Sequence, residues 1–435
     1  MNKILAMLLI SVLVGCGRGP VEPTKPPQPE CTSPVLAVAI SGKEALACTA
    51  HLDGTVRLVD VASQRLVWSV QLPAKPPQEA NKDQHPFARC VFVDDRGTVA
   101  VVHSNEPDVI ITISEGAIKR RIRAGISLER TARHLKAVEE QLDIDQIATE
   151  AGVTRQEVVD LMNETNILAK PASKREERLS IVLERASEKK LNELLRADPE
   201  MGRDMALRED EEFPIRPKIV SLVPVNVNGT TAVAANVDEI WVLAFAVDDG
   251  RVVAGMAIPR IDKALGIGWI PGPPRSPIKG FWLGAHDQGQ WMLWGFGTKW
   301  YGRPQTDWLL CSGGQDSVIK YETKGAIAAA GTDHAFAFVT AGGLLTVGRC
   351  VEGKFVPGST HNLGPLPEDG TMLSIEAGRV VVGAGKRFWL VRGEKLTGPV
   401  STDSEVAALC IKNNTVAIGT ADGSLQLRHV DSIPK

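Results

Sequence analysis

The chain has 435 residues, with 49 Lys and Arg against 52 Asp and Glu, a formal charge of -3 and a pI near 6.3. That balance excludes a broadly positive surface and disfavours a nucleic-acid partner. The length suits one large all-β ring or two to three ordinary domains.

Met1-Asn2-Lys3 is a short basic start, and Ile4 to Val14 is apolar apart from Ser11. This run is too short to span a bilayer, which needs roughly 20 apolar residues. A charged start, a short apolar stretch and a small residue before a cleavage point make residues 1–15 read as an export signal. Its ending, Leu13-Val14-Gly15-Cys16, resembles the lipobox of bacterial lipoproteins. The resemblance implies cleavage before Cys16, diacylation of the Cys16 thiol and acylation of the new amino terminus. One acyl chain holds a membrane marginally, whereas two or more anchor it at about 0.8 kcal/mol per buried CH₂. No second apolar stretch reaches spanning length, so the lipid is the expected membrane attachment. Gly17 stands where inner-membrane lipoproteins of enteric bacteria carry aspartate, which points to an outer membrane and its periplasmic face. With the lipidated Cys16, the Pro-rich residues up to 34 form an extended tether (16–34).

Six further cysteines follow: Cys31, Cys48, Cys90, Cys311, Cys350 and Cys410. None forms a Cys-x-x-Cys pair, so no metal site is expected. Cys48, Cys90 and Cys410 lie in apolar strand-like runs, where buried free thiols are expected.

Residues 35–117 read as paired strands. His51 to Asp60 is an Asp-Gly turn feeding an alternating strand, and Gln64 to Leu72 is a second strand. Asp-Gly favours hairpins because both residues tolerate positive φ.

Residues 118–216 differ in kind. Of these 99 positions, 40 are Asp, Glu, Lys or Arg, with no tryptophan and three glycines. Leu128, Ala132, Leu135, Val138 and Leu142 follow helical spacing and predict one apolar stripe. Thr154 with Glu157, and Ser173 with Glu176, read as capping boxes. Asp198-Pro199 reads as an N-cap followed by proline at the first helical position. The segment is therefore expected to be a helical insertion.

Residues 217–435 return to strands, and Thr420 to Arg428 repeats the Asp-Gly turn and alternating strand. Repeat units of about 35 to 55 residues fit a β-propeller, whose blades bury one another's faces. The stretch Asp53–Val70 resembles a blade of the WD-repeat type and equally one of the PQQ type, and Ala421–Val430 does so less closely. There is no Trp-Asp dipeptide at the strand end; Val59-Asp60 stands there. Blade starts near Val35, Ala88, Lys218, Ala264, Ser317, Thr371 and Glu405 predict seven blades, with six or eight as alternative counts. Blades one and two fall in 35–117 and the rest in 217–435. The last unit lacks an outer strand, which residues around Cys31–Pro34 are expected to supply.

Two clusters are candidate sites. Gln146 to Leu161 resembles a helix-turn-helix, with Gly152 at the turn. That resemblance would place Thr154, Arg155, Gln156 and Asp160 toward a DNA major groove, with Lys119, Arg120, Arg121 and Arg123 near phosphates. Against it, the insertion holds 19 basic and 21 acidic residues, and an exported protein is kept from the chromosome. A small helical bundle that contacts protein is the favoured reading. The second cluster is aromatic. Seven of nine tryptophans fall between 241 and 308; most are expected between blades, with Trp300 and Tyr301 as a surface interaction pair.

No local catalytic motif of the zinc-protease, nucleophile-elbow, P-loop or dinucleotide type is present. His51 is expected to be a hydrogen-bonded turn residue. The expectation is a mainly β, seven-bladed propeller with a helical insertion, without cofactor or catalytic residues, acting as an interaction scaffold for other envelope proteins. The rivals are a propeller enzyme with a channel-mouth site and DNA binding through the insertion.

Overall fold

Antiparallel hairpins follow one another along the computed structural model. It describes residues 32–73, 86–163, 173–208, 211, 219–227, 229–237, 241–257, 278–285, 291–298, 307–313, 317–322, 325–332, 335–351 and 354–433. Side chains between 278 and 322 lie outside the description.

The first sheet contains β1 (Val35–Ile40), β2 (Leu46–His51), β3 (Thr55–Asp60) and β4 (Leu66–Gln71). The second contains β5 (Ala88–Phe92), β6 (Val99–His103), β7 (Glu106–Ser114) and β8 (Ala117–Arg123). After the helices comes a third, of β9 (Ile219–Val227), β10 (Thr230–Val237), β11 (Trp241–Ala246) and β12 (Val252–Ala257). Strands β13 (Ile278–Ala285), β14 (Trp291–Thr298), β15 (Asp307–Gly313) and β16 (Ser317–Glu322) form the fourth. The fifth holds β17 (Ala326–Gly331), β18 (Ala335–Thr340), β19 (Leu344–Val351) and β20 (Lys354–Asn362). In the sixth are β21 (Met372–Glu376), β22 (Arg379–Ala384), β23 (Arg387–Arg392) and β24 (Lys395–Ser401). The last described sheet has three strands, β25 (Val406–Lys412), β26 (Thr415–Thr420) and β27 (Leu425–His429).

Every sheet is ordered as its strands occur in the chain. The first strand of each meets the first strand of the next, from β1 through β5, β9, β13, β17 and β21 to β25, and β25 meets β1. A ring of sheets joined through their first strands is the arrangement of a β-propeller. Among the described side chains, second strands are buried on both faces, which explains uninterrupted apolar runs such as Val99–Val102 in β6. The hairpins start where the Asp-Gly pairs predict. Thr55 N donates to Asp53 Oδ1 at 2.8 Å and Ser424 N to Asp422 Oδ1 at 3.1 Å, with Gly54 at φ 85 and Gly423 at φ 88.

First strands start at Val35, Ala88, Ile219, Ile278, Ala326, Met372 and Val406. Two expected starts differ. Ala264 lies outside the described residues, and Ser317 opens β16, the fourth strand of its sheet rather than the first. Hairpin strands of similar composition make the phase of a repeat hard to read where turn signals are weak.

The chain ends also meet differently from expectation. Ser33 and Pro34 do not pair with β27 but with the β2–β3 turn, where Leu52 N donates to Pro34 O at 2.9 Å and Asp53 N to Ser33 Oγ at 2.9 Å. Cys31 lies outside the described residues. The first and last sheets join face to face, Val35, Val38 and Ile40 packing on Ala408 and Ala417. Gly419 permits the approach, since a Cβ there would lie 2.4 Å from Val35 Cγ1. Glu44 adds a polar tie, accepting from Thr415 Oγ1 at 2.6 Å and Asn414 N at 3.0 Å.

Between β8 and β9 lie α1 (Leu128–Glu139), α2 (Ile144–Ala151), α3 (Arg155–Asn163), α4 (Lys174–Ala197) and α5 (Pro199–Met205). The expected boundary at residue 118 is too early, because Ile118 to Arg123 belong to β8, the outer strand of the second sheet. Charge density hid this strand; an outer strand has one edge open to water, so Lys119 and Arg120 stay exposed while Arg121 is half-buried beside Glu106. The ends of the helical segment run antiparallel at a neck. Ser127 N donates to Met205 O at 2.9 Å, and Ile126 bridges Ala206. Arg130 clamps it, donating to Ala206 O at 2.9 Å, to Glu211 Oε2 at 2.8 Å and to Asp204 O. This clamp turns α1 away from its expected stripe. Thr131 and Val138 are buried, while Ala132 and Leu135 face solvent.

Two apolar cores share α4. Its C-terminal half places Leu195 with Met201 and Met205 of α5 against Ile122, Phe245 and Val252 of the second and third sheets. Its N-terminal half, through Leu179 and Val182, joins Ile147, Ala148, Ala151 and Val158 of α2 and α3 in a separate core. Asn192 mimics a strand against the edge of β12, accepting from Gly255 N at 3.1 Å and donating to Gly255 O at 3.3 Å.

Candidate functional site

The helix pair α2–α3 and the strand β8 carry the residues singled out for recognition. Asp143 caps α2, accepting from Gln146 N at 3.0 Å. Gly152 ends α2 in the left-handed conformation at φ 69, which sets the turn, and Val158 fills the crossing. The backbone here is two short helices joined at Gly152, with Val158 buried in the core that they share with α4.

Its side chains are engaged locally. Thr154 and Glu157 form the capping box, with Thr154 N and Oγ1 donating to Glu157 Oε2 at 2.7 and 2.8 Å. Those bonds hold the Glu157 carboxyl below its ordinary range, helped by Arg175. Arg155 pairs with Asp145 at 2.8 Å, and Gln156 donates to Asp160 Oδ1 at 2.8 Å. All four candidate residues are exposed, yet each is held by a partner on its own helix or the preceding one. Between Asp143 and Asn163 the chain has five carboxylates and one base, so the exposed face is acidic rather than phosphate-seeking.

The four cations of β8 are likewise engaged within the protein. Lys119 pairs with Glu115 at 3.1 Å, Arg121 with buried Glu106 at 2.6 Å, and Arg123 with buried Asp108 at 3.4 Å. Arg120 reaches Asp249 O at 3.1 Å. The first three lie within the second sheet, and the Arg120 contact ties it to the β11–β12 turn of the third.

Cys16, Trp300 and Tyr301 lie outside the described residues. Cys48 and Cys90 are buried free thiols, and Cys410 is half-buried and free. The Cys90 thiol is pushed up by its hydrogen bond to Cys48 and by burial, and burial pushes Cys410 up to about 12. Neither is a ready nucleophile at neutral pH.

First-strand side chains that keep partial solvent contact include Leu36, Val91, Ile327, Leu373 and Leu409, each packed against the core between neighbouring sheets. Charge enters through Arg89, whose guanidinium lies 5.9 Å from the Phe87 ring, and through Lys412 paired with Glu376 at 2.7 Å. Among the described residues, no group of three His, Cys, Asp or Glu is placed to hold a metal ion.

Two groups escaped the sequence reading. The neck residues Arg130, Asp204 and Glu211 come together across about 80 positions of chain, with no local signal. His103 joins His51 in a buried chain of hydrogen bonds. His51 Nδ1 lies 2.9 Å from Ser33 O and Nε2 2.9 Å from Thr49 Oγ1. His103 Nε2 lies 3.1 Å from His51 O, and Asn105 N donates to its Nδ1 at 3.1 Å. The turn position of His51, at the start of an Asp-Gly hairpin, agrees with a structural role.

No family model matches this chain, and no curated protein does. Among solved structures it is similar to BamB from Moraxella catarrhalis, with 10% identity over 91% of this chain and 85% of that one, at a TM-score of 0.39. The propeller assignment stands on strand order and the ring of first-strand contacts.

Proposed function

We propose that this chain is a membrane-anchored, seven-bladed β-propeller lipoprotein that scaffolds protein assemblies in the bacterial envelope without catalysing a reaction. Acyl chains on Cys16 hold it at the membrane, with the outer membrane and its periplasmic face as the favoured site. The helices between the second and third sheets are an insertion that presents a contact surface. The observation that carries this reading is the acidic α2–α3 pair, which has its own core and is displayed on a long helix rooted in the ring. A rooted, self-packed element whose two helices carry more carboxylates than bases suits a basic protein partner.

Two measurements test it. Metabolic palmitate labelling is expected in the wild type and absent from C16A; labelling that survives C16A removes the anchor. Crosslinking in intact envelopes is expected to recover defined partners, lost when Glu150→Lys and Asp160→Lys reverse the exposed charge. Identical recovery from that variant, or none from either protein, overturns the scaffold role of the insertion. For DNA, the same acidic face predicts no retardation of a duplex by the whole protein at low salt.

A further inference from the structure

We propose that His51 and His103 form an acid-sensitive latch that fastens the Ser33–Pro34 segment and the β6–β7 turn to the β2–β3 turn. Four hydrogen bonds fix both rings. A carbonyl oxygen only accepts, so His51 must carry its proton on Nδ1, facing Ser33 O, and accept from the Thr49 hydroxyl at Nε2. By the same reasoning His103 carries its proton on Nε2, facing His51 O, and accepts from Asn105 N at Nδ1. Each ring when neutral is thus a single tautomer, and both residues are buried, at 1% and 2% exposure.

A second proton acts differently at the two rings. On His51 it meets Thr49 Oγ1, which can rotate and accept. On His103 it meets the Asn105 N–H, placing two donors face to face with no acceptor between them. Protonating His103 therefore opposes the β6–β7 turn, and because the ring is rigid, turning Nδ1 away from the Asn105 N–H also swings Nε2 out of line with His51 O. Loss of that bond unseats the strand end that holds Ser33 and Pro34.

The charged groups facing the pair are Asp53 and Arg57 of the first sheet, and Glu106, which lies opposite His103 across the turn and is held by Arg121 at 2.6 Å. Arg89, beside the Ala88 that pairs with His103, donates back to Ala88 O at 2.8 Å. Burial outweighs the pull of Asp53, and both rings titrate below their ordinary value. The sign follows: the unfolded or released rings take protons near pH 6.5 while the latched rings resist. The stabilisation is complete above that pH and is lost as pH falls through the latched rings' lower values.

Hydrogen exchange on the full chain tests the latch, with rates corrected for the intrinsic effect of pH. Between about pH 7.5 and 5, the Leu52 and Asn105 amides are expected to lose protection about tenfold more than core amides such as Val101. His103→Asn keeps an acceptor for Asn105 N–H and cannot titrate, so its extra loss should disappear. Imidazole nitrogen spectra of the wild type supply a readout that needs no variant, with Nδ1–H for His51 and Nε2–H for His103 at neutral pH. Unchanged relative protection at pH 5, the same loss in His103→Asn, or the opposite tautomers overturns the latch.

Discussion

Alanine at Gly202 is expected to destabilise the protein by about 3 kcal/mol, the opposite of what helix propensity predicts. In an isolated helix, glycine to alanine stabilises by roughly 1 kcal/mol. Here α5 lies so close on the third sheet that a Cβ at 202 would sit 2.1 Å from Val252 O and 3.6 Å from Leu195 Cδ2. The neighbour is backbone, so relief requires moving α5 or β12 rather than a rotamer. Met201 and Met205, which α5 buries in the shared core, would move with it. Urea unfolding of G202A against wild type decides the sign. Ala132→Ser, exposed on α1, is the control and should stay within about 0.5 kcal/mol. Stability of G202A equal to or above wild type would mean that the helices do not rest on the ring as described.

Replacing Arg130 by methionine should open the neck. Its side chain is 12% exposed and donates to two carbonyls and the Glu211 carboxylate. Removing the guanidinium of this half-buried cluster costs about 2–3 kcal/mol, because two carbonyls and a carboxylate lose a charged donor. The loss should be local. Limited proteolysis is expected to cut R130M near residues 124–127 and 206–208 about tenfold faster, with the sheets still folded by circular dichroism. Arg133→Met is the comparison, since Arg133 is 64% exposed and 3.9 Å from Asp204. Equal cutting of the two variants would assign the neck's stability to its backbone pairing alone.

Features encoded within one or two turns of chain were legible in the amino-acid order. The Asp53-Gly54 and Asp422-Gly423 hairpins, the Thr154 and Ser173 caps and the Asp198-Pro199 helix start depend on neighbours and occur where their chemistry predicts. Features set by distant partners were not. The expected α1 stripe is met at Val138 and Leu142 and fails at Ala132 and Leu135, because Arg130 must face Ala206 and Glu211. The basic run at Lys119–Arg123 looked like a phosphate-binding patch until Glu106, Asp108, Glu115 and Asp249 were seen beside it. For the helix-turn-helix-like pair, spacing conveyed the backbone but not the occupation of its side chains by Asp145, Glu157 and Asp160. Of the two linked histidines only His51 carried a turn signal; its coupling to His103 spans 52 residues.

The 24 residues of α4 make a rod of about 36 Å with each end set in a different core. Such a rod behaves as a lever. A load placed on α2 and α3 reaches the base of α4, where Asn192 grips the main chain of β12 at Gly255. A partner seated at the far end would therefore strain the outermost strand of the third sheet, giving the ring a mechanical sense of whether that end is occupied.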